Sequence, residues 1–434
     1  ELLSRTRRHP QLSSGRRNGH GIIELQRFRR PVEPPPPPLT SLAEPPAPAQ
    51  NSGLVSAQRL ADINNVQYVG AVELGTPGQR MVMIFDTGSS DLWVQASKFN
   101  PNVSSSFGCP AAPRCGKEVT IHYSIGVVRG HIVADRLNIT GCIVSEFSFL
   151  VVDRMADLEN RFFDGVMGLA FPFLSQTGSK VLSVLSKEAG VHAFTFILRP
   201  QEGKSWLLLG SPPEDVIPPS DVVYTPVVLQ AWWTFEGALS VGGTLLAERS
   251  FLALDTGTSF VAIPDPYHDA LMQLLLPVEH RSACQLHEQM GTYYCPCASA
   301  LAAQRIYITV GGKDIPLTPE DIFTPVTAGS TQCILELQRS SDSLPVILGD
   351  TFLRGIAAIF DVGNRRIGLA PQAGRSFEAQ APRPPALFPP HRPSPVGLSL
   401  RNMLFACAAA VVAGVSLGYL GSVLLDCFLS LRQR

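Results

Sequence analysis

The sequence reads IFDTGSS at residues 84–90 and LALDTGTS at residues 252–259. Each stretch is an apolar run that ends on an aspartate, which is followed by threonine and glycine. In a half-buried strand the apolar residues enter a core, and Asp-Thr-Gly then forms a turn that presents the carboxylate from a rigid support. Because the pattern occurs twice, two such turns can face one another. Asp86 and Asp255 are therefore candidate partners in one site.

A second repeated feature lies downstream of each aspartate, with VMGL at residues 166–169 and ILGD at residues 347–350. This repetition indicates an internal duplication. With these motifs the sequence resembles the pepsin family of aspartic peptidases over about residues 68–371. The resemblance implies an all-β, mostly antiparallel, bilobal fold with an N-terminal lobe at residues 61–225, a C-terminal lobe at residues 226–372 and a cleft between them.

The resemblance also implies roles for the residues around the two aspartates. The threonines would brace the two turns against each other, and the hydroxyl residues two positions further on would hydrogen-bond the outer carboxylate oxygens. The residues expected to form and support the dyad are Asp86, Asp255, Thr87, Gly88, Ser89, Thr256, Gly257 and Thr258.

A hairpin over the cleft, the flap, is expected at IHYSIG, residues 121–126. Tyr123 would cover the substrate, and Gly126 would lie beside it. Ser124, Ile125 and Val127 stand where pepsin-like enzymes more often carry Gly, Thr and Ser. This departure predicts a stiffer, more apolar flap tip, which affects substrate preference more than chemistry.

The paired carboxylates predict a peptidase mechanism. Two acids within reach of one water share a proton, because both cannot ionise cheaply. The ionised acid then acts as general base on the water and the protonated one donates to the scissile carbonyl, so neither a metal nor another cofactor is expected. Protein or peptide substrates are expected. One alternative is an inactive membrane-tethered binding protein with the same fold. Another is a lumenal scaffold whose proline segments recruit partners.

Residues 1–60 differ in composition from the predicted lobes. They are rich in arginine and include an unbroken proline run at residues 34–38, which favours extended polyproline II structure. Residues 22–30, IIELQRFRR, resemble the basic, apolar prosegment strand that covers the cleft in pepsin-like zymogens. A cationic segment near an ionised dyad would lose its attraction as the acids protonate, which predicts acid release. The competing interpretation is a disordered basic tail.

Near the other end, residues 403–425 carry no charge and are long enough to cross a bilayer as a helix. Arginines in the tail at residues 426–434 predict a cytosolic C-terminus and a lumenal or extracellular catalytic domain, in the secretory or endosomal pathway or at the cell surface. Charges after Leu425 argue against cleavage for a lipid anchor. Small residues at a four-residue spacing offer a possible helix-mediated dimer, although ordinary transmembrane composition explains them as well. These residues are Ala410, Gly414, Gly418 and Ser422.

Residues 373–402, between the second lobe and this apolar run, are rich in proline and are predicted to form an extended stalk. Such a stalk would hold the enzyme several tens of ångströms from the membrane. Exposure to proteolysis would make a shed soluble form possible.

The cysteines and the charge complete the sequence-based expectations. The resemblance implies disulfides between Cys109 and Cys115 and between Cys297 and Cys333, with Cys284 and Cys295 as a possible third pair, and Cys142 left as a buried thiol. Asn102 and Asn138 begin glycosylation sequons. A formal net charge of −1 predicts no nucleic-acid partner.

Overall fold

The computed structural model describes residues 53–63, 67–108, 115–123, 126–156, 158, 163–178, 180–199, 204–287, 291–372 and 374–393. Strands dominate this part of the chain, as the resemblance to the pepsin family implies. The strands are β1 (Leu54–Ile63), β2 (Gln67–Leu74), β3 (Gln79–Asp86), β4 (Leu92–Gln95), β5 (Glu118–Tyr123), β6 (Gly126–Ile139), β7 (Cys142–Ala156), β8 (Gly165–Gly168), β9 (Ala193–Ile197), β10 (Ser205–Gly210), β11 (Val223–Pro226), β12 (Leu229–Gln230), β13 (Trp233–Val241), β14 (Thr244–Leu254), β15 (Val261–Pro264), β16 (Gln285–His287), β17 (Thr292–Pro296), β18 (Ile306–Val310), β19 (Lys313–Leu317), β20 (Phe323–Pro325), β21 (Gln332–Leu335), β22 (Leu337–Ser340), β23 (Val346–Leu348), β24 (Ile356–Asp361), β25 (Arg366–Pro371) and β26 (Glu378–Ala379). The helices are α1 (Val181–Ala189), α2 (Tyr267–Leu275), α3 (Val278–Ser282), α4 (Pro319–Ile322) and α5 (Asp350–Leu353).

The duplication seen in the sequence is present in the topology. In the first lobe β3 runs parallel to β8, which pairs antiparallel with β4. In the second lobe β14 runs parallel to β23, which pairs antiparallel with β15. Asp86 lies at the end of β3 and Asp255 directly follows β14. The last four residues of β3 and all of β8 are buried, so both aspartates leave strands that the core holds in place.

The last two strands of residues 226–372, the expected second lobe, do not stay within that lobe. β24 pairs antiparallel with β9 of the first lobe, and β25 joins β24 to β11. All six residues of β24 are buried, because it is covered on both faces. The expected lobes at residues 61–225 and 226–372 therefore share one sheet, which fixes the distance between the two aspartate turns.

The predicted N-terminal segment at residues 1–60 overlaps the folded part of the chain. β1 begins at Leu54 and pairs with β10 through Leu60 before it pairs with β2. Leu54 and Leu60 are both buried, so apolar burial draws these residues into the sheet. The rest of the segment, including residues 22–30, lies outside the described residues.

The predicted stalk at residues 373–402 is also different where the structure describes it. Residues 374–393, here called the C-terminal strap, lie against the second lobe. β26 pairs with β19, and the phenol of Tyr267 donates to the carbonyl of Pro389 at 2.6 Å. The strap binds to the second lobe because its backbone groups and ring side chains contact residues of that lobe. Its proline content alone does not predict these contacts.

Two disulfides join described cysteines, Cys284 to Cys295 and Cys297 to Cys333. Cys115 is also disulfide-bonded, and its expected partner Cys109 lies outside the described residues. Cys142 is free and buried. Among the residues that the structure describes, no helix is both long and apolar enough to cross a membrane. The run at residues 403–425, with its small-residue stripe, lies beyond them.

Candidate active site

The first aspartate turn holds its carboxylate with two donors from the turn itself. The backbone N–H of Gly88 donates to Asp86 Oδ1 at 2.8 Å, and the hydroxyl of Ser89 donates to Oδ2. Asp86 is only 7% exposed. Because donors fix both oxygens, the orientation of this carboxylate is set before any substrate arrives.

The second turn repeats the same arrangement. The backbone N–H of Gly257 donates to Asp255 Oδ1 at 2.8 Å, and the hydroxyl of Thr258 donates to Oδ2 at 2.6 Å. Asp255 is partly exposed rather than buried. The two carboxylates thus have equivalent local hydrogen bonds but different access to solvent.

The two threonines link the turns across the lobes. The N–H of Thr87 donates to Thr256 Oγ1 at 3.0 Å, and the N–H of Thr256 donates to Thr87 Oγ1 at 3.0 Å. Each hydroxyl also donates across the lobes, from Thr87 to the carbonyl of Leu254 at 3.0 Å and from Thr256 to the carbonyl of Phe85 at 2.6 Å. Both threonines are buried, so this reciprocal network makes one rigid unit of the two turns.

The glycines of the turns explain how the carboxylates come so close. A Cβ atom added to Gly88 would lie 2.5 Å from Asp255 Oδ2, and one added to Gly257 would lie 2.2 Å from Asp86 Oδ1. Each glycine therefore leaves the space that the opposite carboxylate needs. Burial, and then the neighbouring Asp255 carboxylate, raise the pKa of Asp86 well above the usual carboxyl range. The pair can hold one proton and one negative charge.

Tyr123 lies at the end of the first flap strand. Its hydroxyl accepts a hydrogen bond from the indole N–H of Trp93 at 2.8 Å, and Trp93 is fully buried. Burial, and then the charge of Asp86, raise the pKa of Tyr123, so the phenol stays protonated. The predicted flap tip, residues 124 and 125, lies outside the described residues.

Gly126 pairs with Tyr123 across the flap. The space that a side chain at this position would occupy is filled by other residues of the protein. A Cβ atom there would lie 2.5 Å from the carbonyl of Ala156 and 2.8 Å from the side chain of Leu158. β7 accompanies β6 up to the pair Val127 and Ala156, so a third strand supports the flap almost to its tip. Close packing within the first lobe thus accounts for this glycine.

Two adjacent tryptophans near the site were not anticipated from the sequence. The indole of Trp232 donates to the carbonyl of Gly88 at 3.1 Å, and that of Trp233 donates to the carbonyl of Leu169 at 2.8 Å. Both reach from the second lobe to the first. The sequence feature that could have indicated them is that two of the chain's four tryptophans are adjacent.

The remaining predicted sites lie away from the dyad. Asn102 is exposed, whereas the side-chain amide of Asn138 is partly buried and donates to Glu73 at 2.8 Å. Among the described residues, a cluster with metal-ligand chemistry is formed by Asp265, His268 and Asp269. The guanidinium of Arg339 pairs with both carboxylates of this cluster, so its single positive charge offsets one of their two negative charges.

The duplicated lobes and the braced aspartate pair define an aspartic peptidase architecture, and the chain belongs to the family described as eukaryotic aspartyl protease, which residues 67–372 match. Curated relatives agree with this assignment. Gastricsin of Cavia porcellus is 29% identical over 333 residues, covering 70% of this chain and 80% of that protein. Napsin-A of Homo sapiens is 31% identical over 345 residues, covering 72% and 79%. Chymosin of Camelus dromedarius is 27% identical over 341 residues, covering 73% and 84%.

Proposed function

We propose that this protein is an aspartic endopeptidase that hydrolyses internal peptide bonds of proteins. The observation that carries the proposal is the geometry of Asp86 and Asp255, in which each carboxylate fills the space left by the glycine of the opposite turn. Family membership supports the reaction class. The raised pKa of Asp86 supports a pair that keeps one proton while the other carboxylate is ionised.

The reaction follows from that protonation state. The ionised carboxylate takes a proton from water as the water oxygen attacks the scissile carbonyl carbon, and the protonated carboxyl donates to the carbonyl oxygen. The resulting tetrahedral diol collapses when its C–N bond breaks and the leaving nitrogen receives a proton, which yields a carboxylic acid and an amine. Ser89 and Thr258 hold the outer oxygens, so the proton exchange occurs at the inner ones.

We further propose that the enzyme is a single-pass membrane protein whose catalytic domain is lumenal or extracellular. The uncharged run at residues 403–425 and the arginines after it support this topology. The two disulfides of the second lobe support an oxidising compartment. Tethering raises the effective concentration of substrates on the same membrane, which favours processing over bulk digestion.

The basic segment at residues 22–30 supports synthesis as a zymogen. A cationic segment lying over the dyad would be held by the ionised carboxylate and released on acidification. A protein that begins at Gly53 should therefore be active at once, while the full chain should show a lag that acid shortens. Equal initial rates for the two proteins at one pH would exclude inhibition by this segment.

The test of the proposed function is cleavage of an unfolded protein at acid pH by a soluble form that ends after Pro393. We expect cleavage at internal bonds, and we expect a statine peptide, which mimics the tetrahedral diol, to abolish it. Once the lag at acid pH is over, the full chain should cleave at a similar rate and stay in membranes washed with alkaline carbonate. Binding of the statine peptide without any cleavage would instead indicate an inactive binding protein.

A further inference from the structure

The C-terminal strap is held along its whole length by partners on the second lobe. Arg375 pairs with Asp321, and Arg383 pairs with Asp314 where both side chains are almost fully buried, 6% and 3% exposed. Arg383 also donates to Thr309 Oγ1 at 2.8 Å. A buried ion pair holds firmly, because separating it would leave an uncompensated charge in the protein interior. These contacts make the first half of the strap part of the folded domain.

The second half of the strap follows β14, the strand that leads to Asp255. The N–H groups of Leu387 and Phe388 donate to the carbonyls of Leu245 and Leu246 at 3.0 and 2.9 Å. The ring of Phe388 packs against Tyr267 with centroids 5.1 Å apart. The strap therefore runs in the same direction as β14, toward its catalytic end.

The strap is fixed at its end as well. The N–H of Phe251 donates to the carbonyl of His391 at 2.7 Å, and the N–H of His391 donates to Ser250 Oγ at 2.9 Å. Arg392 pairs with Glu236 at 2.9 Å. Phe251 precedes Asp255 by four residues, or about 13 Å along an extended strand. The chain thus leaves the folded domain close to the catalytic carboxylates.

We propose that the strap limits the height of the active site above the bilayer, so that the substrates are polypeptides held on the same membrane and cut within about 50 Å of it. This inference rests on the membrane anchor and peptidase activity of the proposed function. Residues 392–402 span at most about 36 Å when fully extended, and the distance along β14 adds about 13 Å. If residues 373–402 were instead a free stalk, the stalk alone could extend to about 100 Å.

The strap also explains where a soluble form can end. Truncation after Gly374 would leave the buried carboxylate of Asp314 without its arginine and would expose the surface that Phe388 covers. Truncation after Pro393 preserves both contacts. We expect the longer form to keep full activity and the shorter one to unfold at lower denaturant concentration. Limited proteolysis of the full chain should cut after Pro393 and spare residues 376–391.

The height itself is tested with the full chain in phospholipid vesicles. The substrates are peptides with a transmembrane anchor, whose scissile bond lies 5, 15, 30 or 60 residues from the bilayer. An extended chain reaches 50 Å with about 15 residues, so the rate should peak near that spacing and fall at longer ones, where effective concentration declines. The matched variant carries a 20-residue Gly-Ser insertion after Gly397, which adds up to about 66 Å to the fully extended reach without touching the strap.

The insertion should move the maximum cleavage rate to substrates whose scissile bond lies further from the bilayer. It should leave cleavage of a soluble peptide unchanged. An unchanged spacing profile, or one without any optimum, would overturn the inference while soluble cleavage and carbonate resistance still support the proposed function. Cutting of the native strap within residues 376–391 would overturn it as well. Loss of soluble-peptide cleavage or of carbonate resistance would refute the proposed function, and this inference with it.

Discussion

The two aspartate turns are almost identical in their internal hydrogen bonds and unlike in their surroundings. In each, a glycine N–H and a hydroxyl hold the carboxylate. Asp86 is buried, whereas Asp255 is partly exposed. The repeated motif therefore determines the orientation of each carboxylate, and the rest of each lobe determines its solvation.

The flap belongs to the first lobe, and the charge of Asp86 acts on the phenol of its Tyr123. Tyr123 and Trp93 form a hydrogen-bonded pair on that side, and both stand in the cluster of apolar residues beneath the flap. The chemical consequence is that Asp86 retains its proton more readily than a solvent-exposed carboxyl group does. The duplicated motif therefore holds its two carboxylates in differently solvated surroundings.

Among changes that leave both carboxylates in place, the largest effect on activity is expected at the two glycines. Gly88→Ala and Gly257→Ala would each place a methyl group against the opposite carboxylate. A displacement of about 1 Å costs about 100-fold in rate, so kcat/KM should fall by about that factor. Gly363→Ala is the control, since its Cβ would have no neighbour closer than 3.7 Å. Normal activity in both turn variants would show that the carboxylates do not pack as described.

The unequal solvation should also appear in stability as a function of pH. Because the pKa of Asp86 is raised in the folded state, the stabilisation is complete below the ordinary carboxyl pKa and is lost as pH rises through the raised value. Each pKa unit corresponds to about 1.4 kcal/mol. Urea unfolding at a series of pH values should show this decline in the wild type and not in Asp86→Asn. Parallel curves for the two proteins would contradict a raised pKa.

A smaller effect is expected when the flap loses its hydrogen bond. Trp93→Phe keeps most of the buried ring and removes the donor to Tyr123. A net hydrogen bond is worth about 1 kcal/mol, so kcat/KM should fall about fivefold. Trp206→Phe on β10 is the control, because that indole stacks with Arg59 away from the site. Equal rates for both variants would mean that this bond does not position Tyr123.

The last comparison tests whether the two hydroxyl residues are equivalent. Thr258→Ser keeps the donor to Asp255 and should change kcat/KM less than about twofold. Thr258→Val removes that donor with little change in shape and should cost about tenfold, since the acceptor is charged. Peptide cleavage measured at one acidic pH compares the two. A Val variant as active as the Ser variant would show that the outer oxygen needs no donor.

The sequence alone was sufficient for the features that depend on local motifs. The positions of Asp86 and Asp255, and the two strands that precede them, follow from short apolar runs and turn residues. The shared sheet was not predictable in this way, because the pairing of β24 with β9 joins residues far apart in the chain. Local patterns do not specify such pairings.

The strap shows a second limit of sequence-based reasoning. Its proline content favours an extended chain, but an extended chain can be free or bound. What binds it is a set of partners on the second lobe, such as Asp314 for Arg383 and Tyr267 for Phe388. These matches exist only once the lobe is folded. Similarly, the indole of Trp232 donates to the carbonyl of Gly88 in the other lobe. The spacing of residues in the sequence does not predict this contact.

The central claim is that Asp86 and Asp255 act as one catalytic unit. Its most direct test compares peptide cleavage by Asp86→Asn, Asp255→Asn and the double variant, with Asp215→Asn on the exposed surface as control and circular dichroism to verify folding. We expect each single variant to lose at least about 1,000-fold in kcat and the double variant to lose no more, because residues that act as a unit are not additive. Substantial activity in either single variant, or a double loss equal to the product of the single losses, would contradict a shared dyad.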